Sequence, residues 1–184
     1  PDFSHARLHK CSFLQSELEH AIFHEATLDS CSLVQTRAEN ADFSAATWLA
    51  SAAVSESSLI GADFSHATLQ QSNLRQTPLQ GARFALAKIE NSDLSEADCR
   101  DASFVRANLV GSLFVRTDFR EADFTDTNLM GALLQKSQLA GANFEGANLF
   151  RADLSQSFTS KTTRLDGAWT KRIKTLPKRD GEVI

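Results

Sequence analysis

A large apolar residue recurs at every fifth position through most of this chain. From Ala102 to Gln156 it reads ASFVR ANLVG SLFVR TDFRE ADFTD TNLMG ALLQK SQLAG ANFEG ANLFR ADLSQ. A small residue opens nearly every block and a Phe or Leu stands third, at the block's centre. Helices repeat their apolar face near every third or fourth residue and strands every second, so a period of five suits neither. Short extended segments joined by regular corners are predicted instead, with the centre and the small residue two before it pointing inward.

The period extends back to the N-terminus. Centres run from Phe3 through Leu8, Phe13 and Leu18 to Trp48; one six-residue step then leads to Val54, leaving one residue extra near Ser51. The fives resume without a break to Leu154, making 10 blocks before the step and 21 after it. Fixed-period self-similarity of this kind marks a solenoid. Gly61, Gly81, Gly111, Gly131, Gly141 and Gly146 all lie two after a centre, where the backbone must turn a corner. A longer period lies above the five. Every fourth centre is Phe3, Phe23, Phe43, Phe64, Phe84, Phe104, Phe124 and Phe144, which predicts four blocks per turn and one all-Phe column in the core. Nearly eight coils stacked at about 4.8 Å would span roughly 37 Å.

ADFSH (62–66), ANLVG (107–111), ADFTD (122–126), ANFEG (142–146) and ANLFR (147–151) resemble the pentapeptide repeat family, whose motif is A(D/N)LXX. The resemblance covers residues 1–156. It implies an all-β fold, a right-handed quadrilateral parallel β-helix with three outward positions per block. Ala38 and Cys99, at centres, and the extra residue depart from the pattern and imply a locally thin core and a bulge.

Residues 157–184 leave the register and are expected to form a C-terminal cap and basic tail. TRLDGAW (163–169) reads as one more block shifted by a residue, with Leu165 as centre and Gly167 at its corner. Beyond it Trp169, Ile173 and Leu176 fall at helical spacing and predict a short amphipathic helix ending before Pro177. A solenoid end exposes strand edges, so a cap is required there. The stretch RLDGAW…LPKR also loosely resembles C-terminal pentapeptide modules of bacterial type VI secretion accessory proteins. Opening at Pro1 inside a repeat and without Met, the chain is expected to be one module of a longer protein.

Composition narrows the function classes. Hydrophobic residues make up 42% of the 184, which argues against disorder. No apolar run approaches the roughly 20 residues of a membrane span and no signal peptide is visible. Three cysteines without a paired framework fit a reducing, cytoplasmic setting. Cys11 and Cys31, 20 apart at the small inward position, are expected to stack in adjacent coils as core residues. His5, His24 and Glu25 should meet on one outward face, with His66 farther along, as solvated side chains rather than a metal site. No nucleophile motif, phosphate loop or zinc-type spacing occurs, so neither an enzyme nor a cofactor is expected.

Outward positions after Leu109 hold the one lead. Val110, Met130 and Phe150 follow centres on one face, and Leu113 and Leu133 precede centres on the next. With Val115 they should form an exposed apolar strip. Either Trp169, Ile173 and Leu176 fold back over it, or it meets a protein partner, a second copy included. Charge is uneven: residues 157–184 carry 7 basic and 3 acidic side chains, net +4, and the remainder 12 and 20, net −8. The basic cluster lacks interleaved aromatics, which argues against nucleic acid as the partner. An interaction scaffold is therefore expected. The alternative is DNA mimicry that protects gyrase, known within the family that the motif resembles. Arg75, Arg83, Arg100, Arg106, Arg116 and Arg120, which interrupt the acids, count against it.

Overall fold

The computed structural model describes residues 1–49 and 53–174. Each block makes one side of a square coil. In the first three coils two sides are regular strands: β1 (Arg7–His9), β3 (Thr27–Asp29) and β5 (Thr47–Leu49) form one parallel sheet. β2 (Ser12–Leu14), β4 (Ser32–Val34) and β6 (Ala53–Ser55) form the second. Elsewhere the sides meet through single parallel bridges one coil apart, such as Arg83↔Ser103 and Leu113↔Leu133. The result is the right-handed quadrilateral β-helix expected from the period of five. Leu28 pairs with Trp48 but Leu33 pairs with Val54, so the extra residue lies between Leu49 and Ala53. The bulge expected there falls on residues 50–52, outside the described residues.

All four sides close by the same corner. The residue two after the centre has φ between +50° and +74° in every described block except the irregular one between Phe158 and Arg164. Seven of these corners are glycine and 25 are not. Each non-glycine residue held there costs about 1–2 kcal/mol, which the inter-coil ladder and core must outweigh.

Inside, the all-Phe column is an unbroken stack. Its rings lie 4.7–5.0 Å apart, within 19° of parallel at one end and 1° at the other. Phe23 to Phe144 are fully buried and Phe3 is half-buried. Trp48, Phe114 and Phe119 belong to neighbouring columns; Trp48 and Phe119 pack edge-on against the stack, and Phe114 against Phe119. Cys11 and Cys31 occupy adjacent coils as free thiols. The small inward residues also carry polar duty. Thr36, Ser92, Ser112, Thr117, Thr127, Ser137 and Ser157 each donate a hydroxyl to a core carbonyl of the preceding coil, at 2.5–2.9 Å.

The helical cap is not seen; the coil continues instead. Arg164 pairs with Asn143, Trp169 with Asn148 and Lys174 with Asp153, each 21 residues on. One extra residue between Phe158 and Arg164 accounts for the shift, and Leu165 and Gly167 take the centre and corner roles expected of them. Ile173 sits half-buried against the core, at the small inward position rather than on an outer face. Leu176 lies outside the described residues. The spacing of Trp169 and Ile173 fits a helix, but it fits consecutive blocks equally well, and inter-coil hydrogen bonds decide: Trp169 N–H donates to Ala147 and Lys174 N–H to Ala152, both at 2.8 Å. Among the described residues no helix is long and apolar enough to cross a membrane.

Candidate interaction surface

The Asp or Asn before each centre explains how the outer surface is held. Twelve such side chains accept a hydrogen bond from the backbone N–H two residues on, at 2.8–3.3 Å. That N–H points out of the coil, away from the inter-coil ladder, and an Asx turn satisfies it. The D/N of the motif is thus a backbone clamp. Asn128 in this way fixes Met130, and Asn148 fixes Phe150. Asn148 also donates to Asn128 at 3.0 Å, tying the two clamps together.

On the second face the residues that follow the centres run His9, Asp29, Leu49, Gln70 and Glu90, then Val110, Met130 and Phe150. Met130 is exposed, and Val110 and Phe150 are half-buried. Around the corner, Leu113 and Leu133 bridge each other and stand half-buried beside Val115. Gly111 and Gly131 hold the intervening corners; a side chain at Gly131 would meet open space. No wall therefore separates Met130 from Leu133, whereas at Gly111 the Asn91 side chain lies over the corner between Val110 and Leu113.

Its C-terminal end differs. Trp169 replaces the Thr, Lys and Asn of earlier coils at its position, remains 56% exposed, and lies 5.6 Å from the Phe150 ring at 41°. Trp169 thus extends the strip instead of covering it, and Ile173, turned inward, takes no part. Arg151 and Arg172 occupy the corners after Gly111 and Gly131, with guanidinium carbons 5.2 and 6.0 Å from the Phe150 ring centre.

Other clusters carry less chemistry. His5 and His24 contact Glu25 at 3.1 and 3.5 Å, on an open face. Among the described residues no group of three or more His, Cys, Asp or Glu could hold a metal ion. Burial pushes the Cys99 thiol well above its ordinary range, and burial raises Cys31 as well, so neither is a ready nucleophile. The fourth face carries an ion-pair ladder, with Arg100 on Asp98 at 2.7 Å and Arg120 on Asp118 at 2.6 Å. Burial there would raise the Asp98 pKa, but hydrogen bonds from Arg100 and Gln80 outweigh it and hold the carboxyl below the usual range.

A family model for pentapeptide repeats matches eight copies, over residues 2–37, 57–95, 97–135 and 127–158. The chain belongs to the pentapeptide repeat family. Two solved members share its fold along nearly the whole rod. QnrB1, a plasmid-mediated fluoroquinolone resistance protein, superimposes with a TM-score of 0.71 at 16% identity, over 94% of this chain and 85% of its own. HetL, involved in heterocyst differentiation regulation in the cyanobacterium Nostoc sp. strain PCC 7120, gives a TM-score of 0.56 at 25% identity, over 98% and 92%. No curated protein matches the chain by sequence.

Proposed function

We propose that this pentapeptide repeat protein is a non-catalytic scaffold that presents the strip from Val110 to Trp169 to a protein partner. The observation that carries this is the change along one face, from His9, Asp29, Gln70 and Glu90, broken by a single apolar residue at Leu49, to three consecutive apolar residues at Val110, Met130 and Phe150, where nothing in the core requires it. An apolar row set on a rigid, hydrogen-bonded surface is what association exploits. HetL's involvement in regulation, on a similar rod, fits a binding role. The free cysteines support a reducing, cytoplasmic setting. The likeness of RLDGAW to type VI secretion modules nominates a secretion component as partner, and a second copy is the other candidate.

Replacing Met130 and Phe150 by Ser tests the proposal. Capture of the partner, or self-association by light scattering, should be lost while the melting temperature stays within a few degrees. A marked drop in stability with association unchanged would show that the strip is covered from within.

DNA mimicry that protects gyrase is the second reading. QnrB1's likeness carries the fold alone at this identity. All six arginines that interrupt the acids sit in ion pairs: Arg75 and Arg116 on Glu96, Arg83 on Asp63, Arg100 on Asp98, Arg106 on Asp126 and Arg120 on Asp118. Arginines so placed interrupt the continuous acid rows that imitating phosphates requires, although the body stays acidic at net −8. No effect on gyrase supercoiling at micromolar protein is expected.

A further inference from the structure

We infer that the C-terminal end of the strip docks an acidic protein segment carrying an apolar anchor; this rests on the strip being a partner surface, as proposed above. The pairing of arginines carries it. From Arg37 to Arg164, eight arginines each face an Asp or Glu at ion-pair distance. Arg151 and Arg172 do not, among the described residues, and Arg7, the third exception, stands alone at the far end. Both guanidiniums lie against Phe150 instead. Lys171, which like every other described lysine has no carboxylate at ion-pair distance among the described residues, follows Trp169 by two and adds a third cation. Two aromatics and three unmatched cations therefore share one end of a rod whose body is acidic.

A guanidinium laid against an aromatic ring keeps its in-plane N–H fork free, and the ring sheds part of its water. Such a fork is preorganised to take a carboxylate through two parallel hydrogen bonds. Phe150 with its arginines thus offers carboxylate forks, and Met130, Trp169 and the corner at Gly131 offer an apolar seat beside them. Nucleic acid suits the same cations less well. Base stacking along a strand needs successive open aromatic faces, and here Trp169 alone is largely open while guanidiniums and Trp169 crowd Phe150. The net −8 of residues 1–156 also repels a long polyanion, whereas a short acidic segment feels mainly charges within a screening length of about 8 Å.

The test uses the 184-residue chain and three fluorescent probes of equal length. These are a peptide of Glu, Asp and Ser with a Leu-Trp pair, its counterpart with Lys for every acid, and oligothymidylate. The acidic peptide should bind saturably. Arg151→Ala and Arg172→Ala should each weaken it about tenfold, as expected for loss of a charge-assisted hydrogen bond. Arg106→Ala, which removes an arginine already paired with Asp126, should leave binding unchanged. Raising salt from about 50 to about 300 mM should weaken binding several-fold. No saturable binding, equal binding of the Lys peptide, or tighter oligothymidylate binding with the same arginine dependence would each overturn the inference. Its failure is separable from that of the scaffold reading. If Met130→Ser with Phe150→Ser abolishes capture of the natural partner while both arginine variants retain it, the strip stands and the acidic chemistry falls. Retention by all of them removes both.

Discussion

The Phe column and the Val110–Met130–Phe150 row both run along the coil axis and obey opposite rules. The column repeats one residue eight times because each ring rests on the next at 4.7–5.0 Å inside a bore of fixed width. The row changes identity from coil to coil because its positions face outward and the inter-coil hydrogen bonds beneath form whatever side chain they carry, with Asx turns added at Met130 and Phe150. Uniformity inside marks what holds the coil together, and variation outside marks what differs between one coil and another. Where an outer row turns apolar, the fold is not the cause.

That contrast can be broken most forcefully at Phe104. Stacked between Phe84 and Phe124 and edge-on to Phe119, it is fully buried. Phe104→Ala should cost about 3–5 kcal/mol in urea unfolding. The outward pair Met130→Ser and Phe150→Ser should cost about 1 kcal/mol or less together. Comparable losses from the two changes would mean that the outer row is structural after all, and the functional reading would go with it.

Most of this architecture was legible because the inward positions have little freedom. A narrow square bore admits a Phe or Leu and a small residue per side, so period, columns and corners all surface in the residue pattern. The clamps were harder to see. Asp63, Asp93, Asp123 and Asp153 look like solvated charge until the N–H two residues on is found pointing outward. The signal was the D/N of the motif itself. The C-terminal misreading had another cause: Trp169 and Ile173 sit four apart in a helix and in consecutive blocks alike, and the extra residue after Phe158 hid the register. The strip could be read residue by residue, as could Arg151 beside Phe150, but the placing of Arg172 on the same ring depends on which coil follows which, and the shifted last coil concealed it.

Asp63 sharpens the comparison from the other side, as an outward residue with a structural task. It accepts from the Ser65 N–H at 2.9 Å and pairs with Arg83 at 2.8 Å. Asp63→Ala should cost about 1 kcal/mol, as loss of a side-chain cap to the backbone does elsewhere. Asp63→Asn keeps the acceptor and should cost less. Acid separates the two contributions. Burial raises the Asp63 pKa, but the hydrogen bonds from Ser65 and Arg83 win and hold it below its ordinary value of 3.8, as they do at Asp153 with Ser155 and Gln135. A carboxyl with a lowered folded pKa stabilises above its unfolded value and loses that stability as pH falls through the folded one. The wild-type protein should therefore weaken below about pH 4, and Asp63→Asn with Asp153→Asn should flatten that decline in melting temperature. Parallel acid profiles would show that these carboxyls clamp without contributing through their charge.

The smallest effect tests the corners, where inside and outside meet. Leu86 holds φ at +60° and is 45% exposed, so its backbone is strained and its side chain is mostly in water. Leu86→Gly relieves about 1–2 kcal/mol of left-handed strain and returns about 0.4–1 kcal/mol through the freer unfolded chain. A net gain of about 0.5 kcal/mol is expected, or about 1–2 °C in melting temperature. Gly81→Ala is the mirror experiment. Its φ is +64° and an added Cβ meets nothing within 4 Å. Left-handed strain of about 1–2 kcal/mol is therefore offset only by about 0.4–1 kcal/mol from the stiffer unfolded chain, and stability should fall by about 0.5 kcal/mol. If Leu86→Gly destabilises instead, the leucine packs across its corner, and outward residues near it belong to the structural side of the comparison.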